Sequence, residues 1–107
     1  MSSVPGCAEQ LARFFPEVER VRVRAVLSPV RHSPETVSEA VLLEFASQEK
    51  AVFGTTLPLE FEDRVQLKNA DGSGQLVAKV VAVQYHEGQK AVAIQFVSGQ
   101  RAWVKKP

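Results

Sequence analysis

From Arg20 the chain alternates apolar and polar positions. Val21, Val23 and Ala25 interleave with Arg20, Arg22 and Arg24, which predicts a strand with one apolar face and one arginine face. Ser28-Pro29 and Arg31 to Pro34 read as loop. Val37 to Phe45 predicts a second strand, with Val41, Leu43 and Phe45 on one face. Ala51 to Phe53 is a short third strand, reached by a turn at Gln48-Glu49-Lys50 and ended by Gly54. Leu57-Pro58-Leu59 is an extended bend, because Pro58 pushes Leu57 out of helical geometry. Arg64 to Lys68 forms the next strand, and Asn69-Ala70-Asp71-Gly72-Ser73-Gly74 has the composition of a hairpin turn. Gln75 to Tyr85 is the longest strand and is rich in valine, as a strand covered on much of both faces is. His86-Glu87-Gly88-Gln89 turns the chain into Ala91 to Val97, where Val92, Ile94 and Phe96 share a face.

Before these strands, Cys7 to Phe15 carries Ala8, Leu11, Ala12 and Phe15 at helical spacing, and Pro16 stops the helix. Two turns are not stable alone, so this helix packs on its own domain or on a partner. Short antiparallel strands with tight turns predict an all-β barrel or sandwich, and barrel closure would also remove exposed strand edges. The division expected is a segment at 1–19 with the short helix, an all-β body at 20–97 and a tail at 98–107.

Composition narrows the functional classes. The 107 residues fit one domain. Lys plus Arg number 13 against 12 Asp plus Glu, a net charge of +1. Proteins that capture long nucleic acid by counterion release carry a clear basic excess, so no long nucleic acid is expected as partner. No apolar run approaches the about 20 residues of a spanning helix, so no membrane insertion is expected. The single cysteine, Cys7, excludes an internal disulfide and suits a reducing, cytoplasmic setting.

Little in the chain has the form of a catalytic or metal site. His32 stands in a loop and His86 in a turn, where a solvated histidine is the ordinary finding. Gly72-Ser73-Gly74 lies between two strands and does not open a phosphate-binding helix. Glu60, Glu62 and Asp63 fit a solvated turn. No nucleophile elbow, P-loop or paired metal motif is present. The expectation is a non-enzymatic protein with no cofactor.

The most informative feature is Arg20-Val21-Arg22-Val23-Arg24, with Arg31 close behind. Guanidinium groups grip phosphate bidentately and stack on bases. The other reading of this face is a solubilising strand surface paired across strands with Glu39 or Glu44. At this point the order of elements resembles the PilZ family. Arg20 and Arg24 have the spacing of that family's R-x-x-x-R segment. The stretch Leu57 to Leu67 is similar to its mid-domain bend and strand, and Leu76 to Val83 followed by Ala91 to Phe96 is similar to its closing hairpin. The resemblance covers residues 20 to 97.

That resemblance implies a small six-stranded antiparallel barrel with a short N-terminal helix, of bacterial origin, in cyclic di-GMP signalling. The family's second motif, [D/N]-x-S-x-x-G, falls on Phe45-Ala46-Ser47-Gln48-Glu49-Lys50. Ser47 matches. Phe45 stands in place of the Asp or Asn, and Lys50 in place of the Gly. The family also has members with eroded motifs that act through protein contacts. The resemblance therefore implies a regulatory protein-interaction module, its partner another protein, with little or no cyclic di-GMP binding. The alternatives are an atypical or weak cyclic di-GMP receptor using Arg20, Arg22, Arg24 and Ser47, and a small nucleic-acid-binding barrel. Against the last, aromatic residues make up only 7% and no row of them offers base stacking. Candidate partner-surface residues are Leu11, Phe14 and Trp103; the other role for Leu11 and Phe15 is to cap the barrel's ends.

Overall fold

The computed structural model describes residues 6–30, 38–70 and 74–99. Within them lie one helix, α1 (Cys7–Ala12), and six strands: β1 (Glu19–Pro29), β2 (Glu39–Ala46), β3 (Lys50–Gly54), β4 (Arg64–Asn69), β5 (Gln75–His86) and β6 (Gln89–Gly99). Every pairing is antiparallel. The sheet closes on itself in the order β1-β2-β3-β6-β5-β4, so the expected all-β, six-stranded barrel is what the chain forms.

Alternation explains the core. Ala25 and Leu27, Val41 and Leu43, Val65 and Leu67, then Leu76, Ala78 and Val80 point inward with Val92, Ile94 and Phe96. Leu57 and Leu59 from the β3–β4 connection join them. Pro58 shapes that entry: the Leu59 N–H donates to the Leu57 carbonyl at 2.8 Å, a three-residue turn that suits the fixed φ of proline.

A second apolar cluster lies on the outer wall. Cys7, Ala8, Leu11 and Ala12 of α1 pack on Phe45, Val52, Ala91 and Ala93. Consecutive residues of β3 and β6 therefore serve different clusters, Ala51 and Phe53 inside, Val52 outside. This corrects two expectations. The helix covers a side wall of the barrel, not an end, because Ala91 and Ala93 are small enough to let its backbone approach. Phe45 does not share a face with Val41 and Leu43: the alternation of β2 slips, so that Ala46 enters the barrel core and Phe45 goes under the helix. The β1–β2 ladder shifts register in the same region, between Arg20 and Val23, as a bulge requires.

The remaining differences are at element ends. The helix stops at Ala12; Phe14 and Phe15 donate to the carbonyls three residues back, Leu11 and Ala12, the tighter turn common at helix termini. Ser28 and Pro29, expected as loop, extend β1 because β4 supplies partners in Gln66 and Val65. Gly54 is the last residue of β3, not a residue beyond it. The β5–β6 turn is a two-residue loop, with positive φ at Glu87 (51°) and Gly88 (80°), the signature of the type I′ hairpin whose twist matches the strands.

Candidate nucleotide site

The alternation of β1 turns the arginines outward. Arg20, Arg22 and Arg24 are all exposed, while Val21 and Val23 pack against the barrel core. Their environments then diverge. The Arg20 guanidinium stacks over the Phe45 ring, 5.0 Å from its centroid, and its Nη2 lies 3.7 Å from Glu9 Oε1 on α1. Phe45, which stands where the motif would place Asp or Asn, thus acts as a platform for Arg20. Arg22 and Arg24 make no ion pair among the described residues. Among the described residues neither Glu39 nor Glu44 forms an ion pair with Arg20, Arg22 or Arg24.

Ser47 sits in the β2–β3 hairpin. Its Oγ accepts from the N–H groups of Glu49 (3.2 Å) and Lys50 (3.1 Å), and its own N–H donates to the Lys50 carbonyl at 2.8 Å. This is the local side-chain-to-backbone turn that serine forms readily. Lys50 is committed as well. Its Nζ lies 2.9 Å from Glu17 Oε2, with the Phe15 ring 6.0 Å away. The hydrogen bond from Lys50 holds the Glu17 carboxyl below the usual glutamate range.

β1 and β2 pair Glu19 with Ala46 and Arg20 with Phe45, so Arg20 and the Ser47 turn stand at one end of the barrel. Arg24, opposite Leu42, lies further along the strand. The structure brings Arg20 near the Ser47 turn and sets Arg22 and Arg24 apart on the open wall.

Of the candidate partner residues, Leu11 is buried against the barrel within the monomer, Phe14 is 72% exposed, and Trp103 lies outside the described residues. Among the described residues, exposed apolar side chains not singled out in the sequence are Val30, Phe61, Tyr85 and Val97. Phe61 precedes Glu62, whose φ is +74°, in a turn closed by Asp63 N–H donating to the Glu60 carbonyl. A turn tip exposes its second residue, and that position was the available signal.

A groove of about 720 Å³ opens between the start of α1, β2 and the β5–β6 hairpin. Glu39 organises one side of it. Its carboxylate accepts from the Thr55 hydroxyl, the Thr56 hydroxyl and the Thr56 N–H. Burial raises the Glu39 pKa, but these three donors outweigh it and leave the group below its ordinary value. Cys7 lines the same groove. Burial pushes its thiol pKa up, more than the Ala91 N–H lowers it, and Glu44 adds to the rise. The Cys7 Sγ donates to the Gln84 carbonyl at 3.2 Å, so this thiol is a packed, protonated group.

His86 ends β5, its Nε2 3.9 Å from the Glu87 carboxylate; His32 lies outside the described residues. Among the described residues no group of three or more His, Cys, Asp or Glu side chains is placed to hold a metal ion, and no helix is long and apolar enough to cross a membrane. No protein-family model matches the chain. Comparison with curated proteins gives no match.

Proposed function

We propose that this barrel is a non-catalytic regulatory module that works by contact with another protein and binds cyclic di-GMP weakly or not at all. The observation that carries the reading is the state of Ser47. Its hydroxyl is a double acceptor for the turn it sits in, and a nucleotide phosphate or base would have to compete with two backbone donors. Lys50, in the place of the motif's glycine, is tied to Glu17 and adds a side chain where close backbone approach would be needed. Arg20 is held by Phe45 and Glu9.

The alternative, an atypical cyclic di-GMP receptor, draws on one observation: Arg22 and Arg24 are exposed on β1 without an ion pair among the described residues. Calorimetric titration with cyclic di-GMP, with Arg24→Ala in parallel, separates the two. The module reading expects no heat and no thermal stabilisation at high nucleotide. Micromolar binding that disappears in Arg24→Ala would overturn it and make the chain a receptor with an altered second motif.

A further inference from the structure

The wall of the barrel away from α1 is built from β1, β4 and the first part of β5, residues 75–79, since Val81 and Ala82 further along β5 pack against the helix. Apart from Glu19 at the start of β1, its charged outward positions are cationic. Inward residues are fixed by burial: Ala25 and Leu27, Val65 and Leu67, Leu76, Ala78 and Val80. Alternation therefore places Arg22, Arg24, Arg64, Lys68 and Lys79 outside. The registers set Arg64 beside Lys79 and Lys68 diagonal to Arg24, with Arg22 beyond the last β1–β4 pair, Ala25 with Asn69. Val26 stands opposite Lys68, and Arg64 stands opposite Lys79. None of the five makes an ion pair among the described residues, and the only acid on these three strands is Glu19, at the first position of β1.

Arg64 facing Lys79 is a cost to the isolated domain, since like charges directly across a strand pair repel. The chain as a whole is nearly neutral, at +1, so this concentration comes from segregation. On the helix side Glu9 stands beside Arg20, Glu17 beside Lys50 and Glu39 on the two threonines. Those carboxylates are engaged internally. Glu49, Glu60 and Glu62 are exposed in turns.

We infer that the β1–β4–β5 wall is the docking surface of the proposed module, and that its partner is an acidic protein segment bearing aliphatic side chains. This rests on the protein-contact reading given above. Charge complementarity supplies the acidic requirement. The aliphatic requirement comes from Val26 and Val77, half-buried between the cations, and from Val30, which is 52% exposed and continues the row of Arg64 and Lys79 through its N–H to the Arg64 carbonyl. Single-stranded nucleic acid is disfavoured because the wall presents no aromatic side chain for base stacking; the one aromatic residue of these strands, Tyr85, pairs with Lys90 of β6 beyond the end of β4.

The test is fluorescence anisotropy at low salt with a short fluorescein-labelled peptide of Glu-Glu-Leu repeats, run beside oligo-dT of equal charge and vesicles containing phosphatidylserine. The expected result is saturable peptide binding that weakens as salt rises, exceeds binding to the other two probes, and falls by about tenfold or more in Lys79→Glu combined with Arg24→Glu. Lys79→Glu alone controls for folding. It places an acid opposite Arg64, so its Tm holds or rises while peptide affinity falls.

Absence of peptide binding, tighter binding to oligo-dT or vesicles, or unchanged affinity in the charge-reversed variants would each overturn the inference. Its failure is separable from that of the module reading. Heat with cyclic di-GMP sinks the module, whereas silent calorimetry with no peptide binding sinks the wall alone.

Discussion

The two sides of this barrel solve the problem of an exposed sheet face in opposite ways. On the side of β2, β3 and β6 the outward residues are apolar, Phe45, Val52, Ala91 and Ala93, and a six-residue helix covers them. On the side of β1, β4 and the first part of β5 the outward residues are mostly cations, half-buried aliphatics and neutral polar groups such as Gln66, and no helix among the described residues covers them. The first wall is closed by burial, which is strong and specifies one arrangement. The second is left to water and charge, which contributes little to stability and leaves the surface available. Substitutions should therefore be felt as stability on one wall and as binding on the other.

The largest expected effect lies under the helix. Leu11→Ala removes the central contact of α1 and should cost about 2–4 kcal/mol in urea unfolding, whereas Arg22→Ala on the open wall should stay within about 0.5 kcal/mol. Equal costs at both positions would erase the contrast. Next comes Glu39→Gln. It weakens charge-assisted hydrogen bonds to Thr55 and Thr56 and should cost about 1–2 kcal/mol at neutral pH.

The same residue gives a pH signature. The folded-state pKa of Glu39 lies below the ordinary value of 4.5, and so does that of Glu17. Unfolding then takes up protons in acid. The contribution of these groups is present above about pH 4.5 and is lost as pH falls through the lower folded values. Tm should drop over that window, and less steeply in Glu39→Gln. A parallel drop in both proteins would show that Glu39 plays no part.

Smaller effects are expected at the turns. Gly88→Ala puts a side chain at φ +80° and should destabilise by about 1 kcal/mol, while Glu62→Gly relieves a positive φ at the third position of its turn and should stabilise by about 0.5–1 kcal/mol. The smallest effect is chemical. Cys7 should react with iodoacetamide more slowly in the folded protein than in urea, since its thiol is buried and its pKa raised.

The strand count and most turns were legible in the sequence, because period-two alternation and residues such as Gly88 act locally. The seat of the helix was not. It depends on small outward residues of β6 meeting Leu11 across the fold. A signal was nonetheless available: Ala91-Val92-Ala93-Ile94 and Ala51-Val52-Phe53 are apolar without interruption, which means both faces are covered. For the site, the outward arginines of β1 were legible, and their tie to a helix glutamate was not. Nor was the basic wall. Alternation orients Arg64, Lys68 and Lys79, but only the pairing of β1 with β4, strands distant in sequence, sets Lys68 diagonal to Arg24 and puts the cations on one wall.

The seam between β2 and β3 holds a further consequence. These strands pair only through Phe45 with Val52 and Ala46 with Ala51, and beyond that point the Glu39 carboxylate reaches across to Thr55 and Thr56. A ring of strands breathes where its closure is thinnest. In hydrogen-exchange terms, the amides that bridge β2 and β3 should be the first of the barrel to exchange by a local opening, ahead of those between β5 and β6, whose long ladder lets go only when the whole domain does. Acid would then act as a latch release, loosening this joint before it dissolves the fold.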